Sequence, residues 1–333
     1  MLKPKIRIGH VGTLHDHSLG KLNCVGKYPD IFEVIGIVEE NPERRRLLET
    51  EYPYSRYSFM SEEELLNRGC DAVLVEGDEY DLPYVAKRFL EKDIAVHMDK
   101  PAGGDIKVLE AALKTAKKRS LPVQVAYMYR YNPAVKKCMQ MIKDGQLGEI
   151  MNITAVMNTG HPLEKQQWLH RFQGGIMFFL GCHMVDLIYG IQGLPNKVTP
   201  FLHESNIRGI PAVNQATAVL EYDAGISVAQ ANSCEINGYG RRQLVVCGTK
   251  GTLEIRPLER KPQVLFTDIQ NAEPFGDRHT EFGFPEIADA CRYDDMMMDF
   301  AQMVRGEIEN PYAYEYELQV QKLILACCGL GNL

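Results

Sequence analysis

Short apolar runs alternate with helical patterns through the first 126 residues, and this alternation restricts the possible fold more than any other feature. The apolar runs lie at 5–11, 32–38, 71–75, 94–98 and 122–126. Strands that are buried on both faces give such nearly continuous apolar runs, and strands that alternate with helices form parallel sheets. We therefore predict an α/β domain with a parallel sheet over residues 1–126.

The pattern changes after residue 127. Strand-like segments separated by turn residues lie at 149–157, 214–222, 225–234, 242–247 and 252–256, and helical patterns cover 133–144, 175–191 and 312–329. A run of strands followed by helices is typical of an α+β domain with an antiparallel sheet. For residues 127–333 we predict such a domain, with a large, mainly antiparallel open sheet.

Composition argues against several classes of partner. Acidic and basic residues are interleaved and the net charge is −7, so we expect neither a nucleic-acid-binding nor a membrane-surface protein. No apolar run reaches the ~18 residues that indicate a transmembrane helix. The first residues lack the layout of a secretion signal, and the nine cysteines are scattered without a CxxC pair. These features predict a cytoplasmic protein with free thiols and no bound metal.

The turn after the first predicted strand resembles an altered dinucleotide-binding motif. It reads Gly-Thr-Leu-His-Asp-His over 12–17, where the full motif has glycine at its first, third and sixth positions. Only Gly12 matches, but the order of strand, turn and helix is retained. We predict a Rossmann domain in which Gly12, Thr13 and Leu14 contact the dinucleotide. His15 and His17 could bind phosphate or substrate, could ligate a metal, or could be plain turn residues.

Two further strand ends carry charged residues that suit a cofactor site. Glu39 ends the second strand, and an acid about 20 residues or more past the glycine motif accepts hydrogen bonds from ribose hydroxyls and repels a 2′-phosphate. It predicts NAD rather than NADP, unless Glu39 is only a surface acid at a helix start. Lys100 follows the strand 94–98, on the ligand-binding edge of the sheet. A partly desolvated lysine there suits proton transfer, and the alternative is an exposed surface lysine.

A second chemically informative stretch lies in the helical pattern at 175–191. His183 and Asp186 are three residues apart and so occupy neighbouring positions on a helix. A histidine can act as an acid or a base near neutral pH. The alternative is a histidine that is satisfied within an apolar core.

Together these motifs resemble the Gfo/Idh/MocA family of sugar and polyol oxidoreductases. The resemblance is carried by Asp99-Lys100-Pro101, where the family usually has Glu-Lys-Pro, and by Gly181-Cys182-His183 with Asp186. Further support comes from Val38-Glu39-Glu40-Asn41-Pro42 and from Tyr129-Arg130-Tyr131-Asn132-Pro133. The Lys-Pro and Gly-x-His-x-x-Asp elements form a specific pair, because either one alone would be a weak signal.

The resemblance implies a Rossmann domain, a second domain whose open sheet forms a homodimer or homotetramer, and hydride transfer between NAD and a sugar or inositol-like polyol. Lys100 and His183 would then handle the hydroxyl proton. Glu76, Lys100 and Pro101 would join the cofactor contacts already predicted. The implied substrate contacts are His15, Tyr129, Arg130, Trp168, Arg171 and Asp186.

Three departures from the family pattern leave two alternative functions open. Phe179 stands where many active members carry an Asp, Leu14 and His17 replace glycines, and the segment 76–80 contains three acids. One alternative is an enzyme that uses NAD transiently to cleave a glycosidic bond. The other is a non-catalytic ligand-sensing protein on the same fold.

Overall fold

The computed structural model describes residues 3–206, 209–272, 279–312 and 314–331. The chain forms two compact units. The first contains residues 1–128 and 290–321, and the second contains 129–289 and 322–333. Within the described ranges, no helix combines the length and apolar character needed to cross a lipid bilayer.

The first unit is built on a parallel sheet of six strands. They are β1 Ile6–Val11, β2 Phe32–Val38, β3 Phe59–Met60, β4 Ala72–Val75, β5 Ala95–Met98 and β6 Val123–Val125. Their order across the sheet is β3-β2-β1-β4-β5-β6, which is the doubly wound Rossmann arrangement. The strands that were expected from apolar runs are confirmed; the two-residue β3 is an addition, since it is too short to give a pattern of its own.

Five helices connect these strands, and several begin at side-chain caps that the sequence encodes. They are α1 Ser18–Lys27, α2 Pro42–Leu48, α3 Glu62–Arg68, α4 Leu82–Leu90 and α5 Ile106–Arg119. Asn41 accepts from the backbone of Glu43 and Arg44 at the start of α2, and Ser61 forms a capping box with Glu64 at the start of α3. Each cap satisfies amide groups that would otherwise lack a partner and so fixes where its helix begins.

The second unit contains a mainly antiparallel sheet of eight strands. They are β7 Ile150–Asn158, β8 Lys197–His203, β9 Gln215–Tyr222, β10 Gly225–Asn232, β11 Gln243–Gly248, β12 Gly251–Ile255, β13 Gln263–Asp268 and β14 Thr280–Gly283. Their order is β14-β13-β12-β11-β7-β10-β9-β8, and only β7 and β10 pair in parallel. The predicted α+β fold is confirmed, whereas the sequence analysis had not predicted β8, β13 and β14.

One face of this sheet packs against helix α8, Cys182–Gln192, which follows a π-helical turn at Met177–Gly181. Small side chains line that face, with Ala218 and Ala229 fully buried, and they let the helix approach closely. Two more helices, α6 Pro133–Lys143 and α7 Leu163–Trp168, precede α8 in the chain.

The structure does not place the whole C-terminal segment in the second domain, although the sequence analysis predicted this. Helix α9 spans Asp294–Val304 and α10 spans Tyr314–Cys327. Residues 290–321, which the sequence analysis assigned to the second domain, belong to the first compact unit. Specific bonds account for this: Gln321 accepts from the backbone N–H of Ala102 and donates to the carbonyl of Gly103, and Asp294 pairs with Lys27 at 2.6 Å.

Candidate active site and cofactor site

The turn after β1 brings the backbones of two strand ends close together. Gly12 has φ of +80°, and a Cβ added to it would lie 2.6 Å from the Cα of Gly77. The Gly12 N–H donates to the carbonyl of Val38 at 2.8 Å, and the His15 N–H donates to that of Glu76 at 3.0 Å. Only glycine fits position 12 without strain. Leu14, at the usual position of a second glycine, is 54% exposed, so its side chain does not fill the turn.

A cavity of about 320 Å³ adjoins this turn and has an acid in its wall. Gly12, Leu14, Val38 and Glu39 are among its lining residues. Glu39 is buried; its carboxylate accepts from the Asn41 N–H at 3.0 Å and from the Thr13 hydroxyl. Arg44 donates to the Thr13 hydroxyl at 2.6 Å, so Thr13 and Arg44 hold the acid in place. A close backbone approach beside a fixed acid fits the adenosine half of NAD.

A buried charge cluster lies at the ends of β4 and β5. Lys21, on α1, is fully buried, and its ammonium lies 2.8 Å from Glu76 Oε1 and 2.5 Å from Asp99 Oδ2. Glu76 follows β4 and Asp99 follows β5. A buried charge needs such partners, because it has lost its hydration. Lys21 therefore ties the first helix to two strand ends that border the predicted cofactor site.

Two histidine side chains also contact the carboxylate of Asp99. Its Oδ2 lies 3.0 Å from Nδ1 of His15, and its Oδ1 lies 3.2 Å from Nδ1 of His17. Nε2 of His15 lies 3.1 Å from the carbonyl oxygen of Lys100. His15, His17, Lys21, Glu76 and Asp99 are called the strand-end cluster below.

Burial and neighbouring charges shift the pKa values of the two carboxyl groups of this cluster in opposite directions. Burial raises the pKa of Glu76 well above its usual value; Lys21 opposes this shift and the adjacent charge of Asp99 adds to it. Burial would also raise the pKa of Asp99, but His15, Lys21 and His17 hold it well below its usual value. Burial lowers the pKa of His17 to about 3. The surroundings therefore favour the ionised form of Asp99 and the neutral form of Glu76.

Lys100 is built into this network. It is only 1% exposed, which excludes the alternative of an exposed surface lysine. Its N–H donates to Asp99 Oδ1 at 2.6 Å, and a cis peptide bond joins it to Pro101. The backbone of Lys100 is thus held from both sides, by Asp99 at its nitrogen and by His15 at its carbonyl oxygen.

In the second unit, His183 and Asp186 of helix α8 each contact a different side chain. Arg130 binds Asp186 through three contacts of 2.6 to 3.1 Å, and both side chains are buried. Burial raises the pKa of Asp186, and the charge of Arg130 opposes this shift. His183 is buried with its ring edge-on to that of Tyr129, the centroids 4.8 Å apart. The predicted substrate residues Arg130 and Asp186 are therefore paired with each other in this structure.

Trp168, Arg171 and Phe179 belong to an aromatic and cationic cluster. The Trp168 ring lies edge-on to Phe172 and Phe179, at centroid distances of 4.8 and 4.9 Å. The ammonium of Lys165 lies 3.4 Å from the Trp168 ring centroid, and the guanidinium of Arg171 lies 5.4 Å from it. Phe179 packs in this cluster, so position 179 offers no group that could exchange a proton.

Sequence reasoning missed Lys21 and the role of Asp99. Lys21 shares the buried face of α1 with Leu22 and Val25. A lysine within the apolar stripe of a helix is rarely buried without a partner. That pattern could have revealed a buried ion pair, although not which strand ends supply the acids.

Two family models match the chain. Residues 6–127 match the oxidoreductase family with an NAD-binding Rossmann fold, and residues 135–254 match the Gfo/Idh/MocA C-terminal domain. Among solved structures, the WlbA dehydrogenase of Bordetella pertussis, in complex with NADH and UDP-GlcNAcA, superposes with a TM-score of 0.75 at 19% identity. That alignment covers 98% of this chain and 96% of WlbA.

Two curated relatives share a quarter or less of their aligned residues with this chain. The Bacillus subtilis protein YteT is 25% identical over 47% of this chain, which spans only 39% of the length of YteT. The myo-inositol dehydrogenase Hyg17 of Streptomyces leeuwenhoekii is 23% identical over 75% of this chain and 74% of its own length. With both of its regions matched by family models, the chain belongs to the Gfo/Idh/MocA family of oxidoreductases and carries the NAD-binding Rossmann domain of that family.

Proposed function

We propose that this protein transfers a hydride between NAD and a hydroxyl-bearing carbon of a sugar, an inositol-like polyol or a derivative. The observation that carries the proposal is the burial of Lys100 at the end of β5, where Asp99 and His15 fix its backbone. Parallel sheets bind their ligands at this edge. A lysine held there is positioned for a ligand rather than for solvent.

The cofactor would be held by the turn after β1 and by the neighbouring strand ends. The residues proposed to contact it are Gly12, Thr13, Leu14, Glu39, Glu76, Lys100 and Pro101. When bound, NAD supplies the hydride acceptor or donor at its nicotinamide ring. Glu39 would accept bonds from the ribose hydroxyls and repel a 2′-phosphate, so NAD is preferred over NADP.

The protein's own residues would manage the proton and the orientation of the substrate. Lys100 orients the reacting hydroxyl and assists its deprotonation, and His183 serves as the acid–base group. Tyr129, Arg130, Trp168, Arg171, Asp186 and His15 are the proposed substrate contacts. The names of two relatives, an inositol dehydrogenase and a dehydrogenase bound to a nucleotide sugar, support a polyhydroxylated substrate.

Self-association through the second unit is part of the proposal. Its sheet carries large exposed apolar side chains, including Phe201 on the edge strand β8 and Ile226 on β10. Contiguous exposed apolar surface is typical of interaction sites. A homodimer or homotetramer is expected, and multi-angle light scattering measures its mass.

Titration with NADH, followed by the fluorescence of the single tryptophan and by calorimetry, tests the first step. No binding at millimolar NADH would reject the proposal. A panel of sugars and polyols, assayed for NADH formation, tests the second step with Lys100→Met and His183→Asn beside the matched control Lys114→Met. Lys114 lies on the exposed side of α5, 74% exposed, and its replacement should leave turnover unchanged.

Phe179 supports a second candidate, a ligand-binding protein without turnover, because a phenyl ring cannot exchange a proton. Binding of NADH and of a polyol with no NADH production across the panel would favour this candidate. Cofactor that stays bound through purification, with cleavage of a glycoside and no net NADH production, would instead indicate an enzyme that uses NAD transiently to cleave a glycosidic bond.

A further inference from the structure

His15, His17 and Asp99 form a group of potential metal ligands inside the first unit. One ligand atom from each can be chosen so that all three lie within 4.8 Å of one another. Two come from the turn at 12–17 and the third from the end of β5. We infer that this group, the His–His–Asp site, binds one divalent transition-metal ion. The inference does not depend on the proposed reaction.

The hydrogen bonds of His15 provide the first argument. Its Nε2 lies 3.1 Å from the carbonyl oxygen of Lys100, and a carbonyl can only accept, so Nε2 carries the proton. Nδ1 accepts from the His17 N–H at 3.2 Å through its lone pair. The same Nδ1 lies 3.0 Å from Asp99 Oδ2. A bound cation would join these two electron-rich atoms.

The separations between donors fit a common ion. Zinc binds imidazole nitrogen and carboxylate oxygen at about 2.0–2.2 Å, so neighbouring ligands of one ion lie roughly 3.0–3.5 Å apart. His15 Nδ1 lies 3.0 Å from Asp99 Oδ2, and His17 Nδ1 lies 3.2 Å from Asp99 Oδ1, so each histidine has an oxygen of the same carboxylate at such a separation. The side chain of His17 is 19% exposed, which gives the ion a path to solvent.

The groups around the three ligands form hydrogen bonds with them of the kind that is usual around a bound metal. A metal-bound histidine donates its other ring N–H to a carbonyl or a carboxylate, and a metal-bound carboxylate accepts further hydrogen bonds. His15 faces the Lys100 carbonyl, while Asp99 accepts from the Lys100 N–H at 2.6 Å and from Lys21 at 2.5 Å. Lys21, which also donates to Glu76 at 2.8 Å, places a positive charge beside Asp99.

The donor set selects the class of ion. Two imidazoles and one carboxylate with open positions suit zinc, manganese, iron or cobalt, whereas magnesium and calcium prefer oxygen ligands throughout. An ion here would add positive charge beside a turn that carries Asp16 and lacks two of the usual glycines. NADH affinity is therefore expected to rise when the ion is bound.

Calorimetry on the chain stripped with EDTA tests the site directly, using ZnCl₂, MnCl₂ and CoCl₂ as separate probes. We expect one ion per chain with a Kd of micromolar or tighter for at least one metal. His17→Gln and Asp99→Asn should each weaken binding at least tenfold. His203→Gln, which replaces an exposed histidine of the second unit, is the matched control and should bind as the native chain does.

Circular dichroism checks that each variant is folded. If His17→Gln is not, the visible spectrum of the Co²⁺-loaded native chain decides, because nitrogen ligands give an absorption that hydrated Co²⁺ lacks. Absence of binding by all three metals at millimolar concentration would overturn the inference, and so would equal binding by His17→Gln and Asp99→Asn. Since metal binding is read without turnover, its failure is distinguishable from failure of the proposed reaction.

Discussion

Replacing Lys21 by Met tests the buried charge cluster most severely. Met keeps the length of the side chain and removes the ammonium that lies 2.8 Å from Glu76 and 2.5 Å from Asp99. Breaking a buried ion pair costs about 3–5 kcal/mol, because the remaining charge is buried without its partner. At about 2–4 °C per kcal/mol for large domains, the Tm should fall by roughly 6–20 °C.

A second substitution, at Asp99, should recover part of the stability that Lys21→Met loses. The surroundings favour the ionised form of Asp99 and the neutral form of Glu76, because their pKa values are shifted in opposite directions. Adding Asp99→Asn to Lys21→Met should therefore recover at least about 1 kcal/mol, a coupling within the usual range for residues in contact.

Differential scanning calorimetry and urea titration measure these changes, with Lys114→Met as the exposed control. Surface substitutions of this kind change stability by no more than about 0.5 kcal/mol. A Tm for Lys21→Met within ~2 °C of the native value would refute the reasoning, since that is less than 1 kcal/mol. No recovery of stability by Asp99→Asn in the Lys21→Met background would refute the assignment of Asp99 as the acid left unpaired.

Three further predictions address the cofactor site. The pKa of Glu76 is raised in the folded chain, so the contribution of Glu76 to stability is present below its unfolded pKa of about 4.3 and is lost as pH rises through the folded pKa. Glu76→Gln should therefore gain stability relative to the native chain between about pH 5 and pH 9, as measured by urea titration. Glu39→Ser should shift the ratio of NADH to NADPH affinity at least tenfold toward NADPH, about 1.4 kcal/mol, because it removes the acid that repels a 2′-phosphate; an unchanged ratio by calorimetry would count against Glu39 as a ribose contact. Gly12→Ala should weaken NADH binding or lower the Tm, since its Cβ would meet Gly77 at 2.6 Å and φ is +80°, and native behaviour in both assays would contradict the described turn.

The sequence predicted the parts of the fold that depend on local pattern. The apolar runs that became β1, β2, β4, β5 and β6 are continuous, so their type and order could be read directly. Strand β8 was missed because it contains Pro200, which is unusual within a strand, and β3 was missed because it has only two residues. The assignment of residues 290–321 depends on contacts such as Gln321 with Gly103, which no local pattern contains.

The same distinction applies to the site. Gly12, Glu39 and Lys100 could be selected because each follows a strand, where parallel sheets bind their ligands. The convergence of Lys21, Glu76 and Asp99 could not, because it needs the spatial order of β1, β4 and β5 and the buried face of α1. The pairing of Arg130 with Asp186 was likewise out of reach, since the sequence suggested a role for each residue and not their contact.

The claim at the centre of this account is that Lys100 acts on the substrate of an NAD-dependent reaction. The most direct measurement is the kcat for NADH formation by Lys100→Met on the best polyol of the panel, together with its Kd for NADH. Because positioned proton transfer contributes about 10²–10⁴-fold, kcat should fall by that factor while the Kd changes by less than about tenfold. A native kcat in a folded, NADH-binding Lys100→Met variant would contradict the claim.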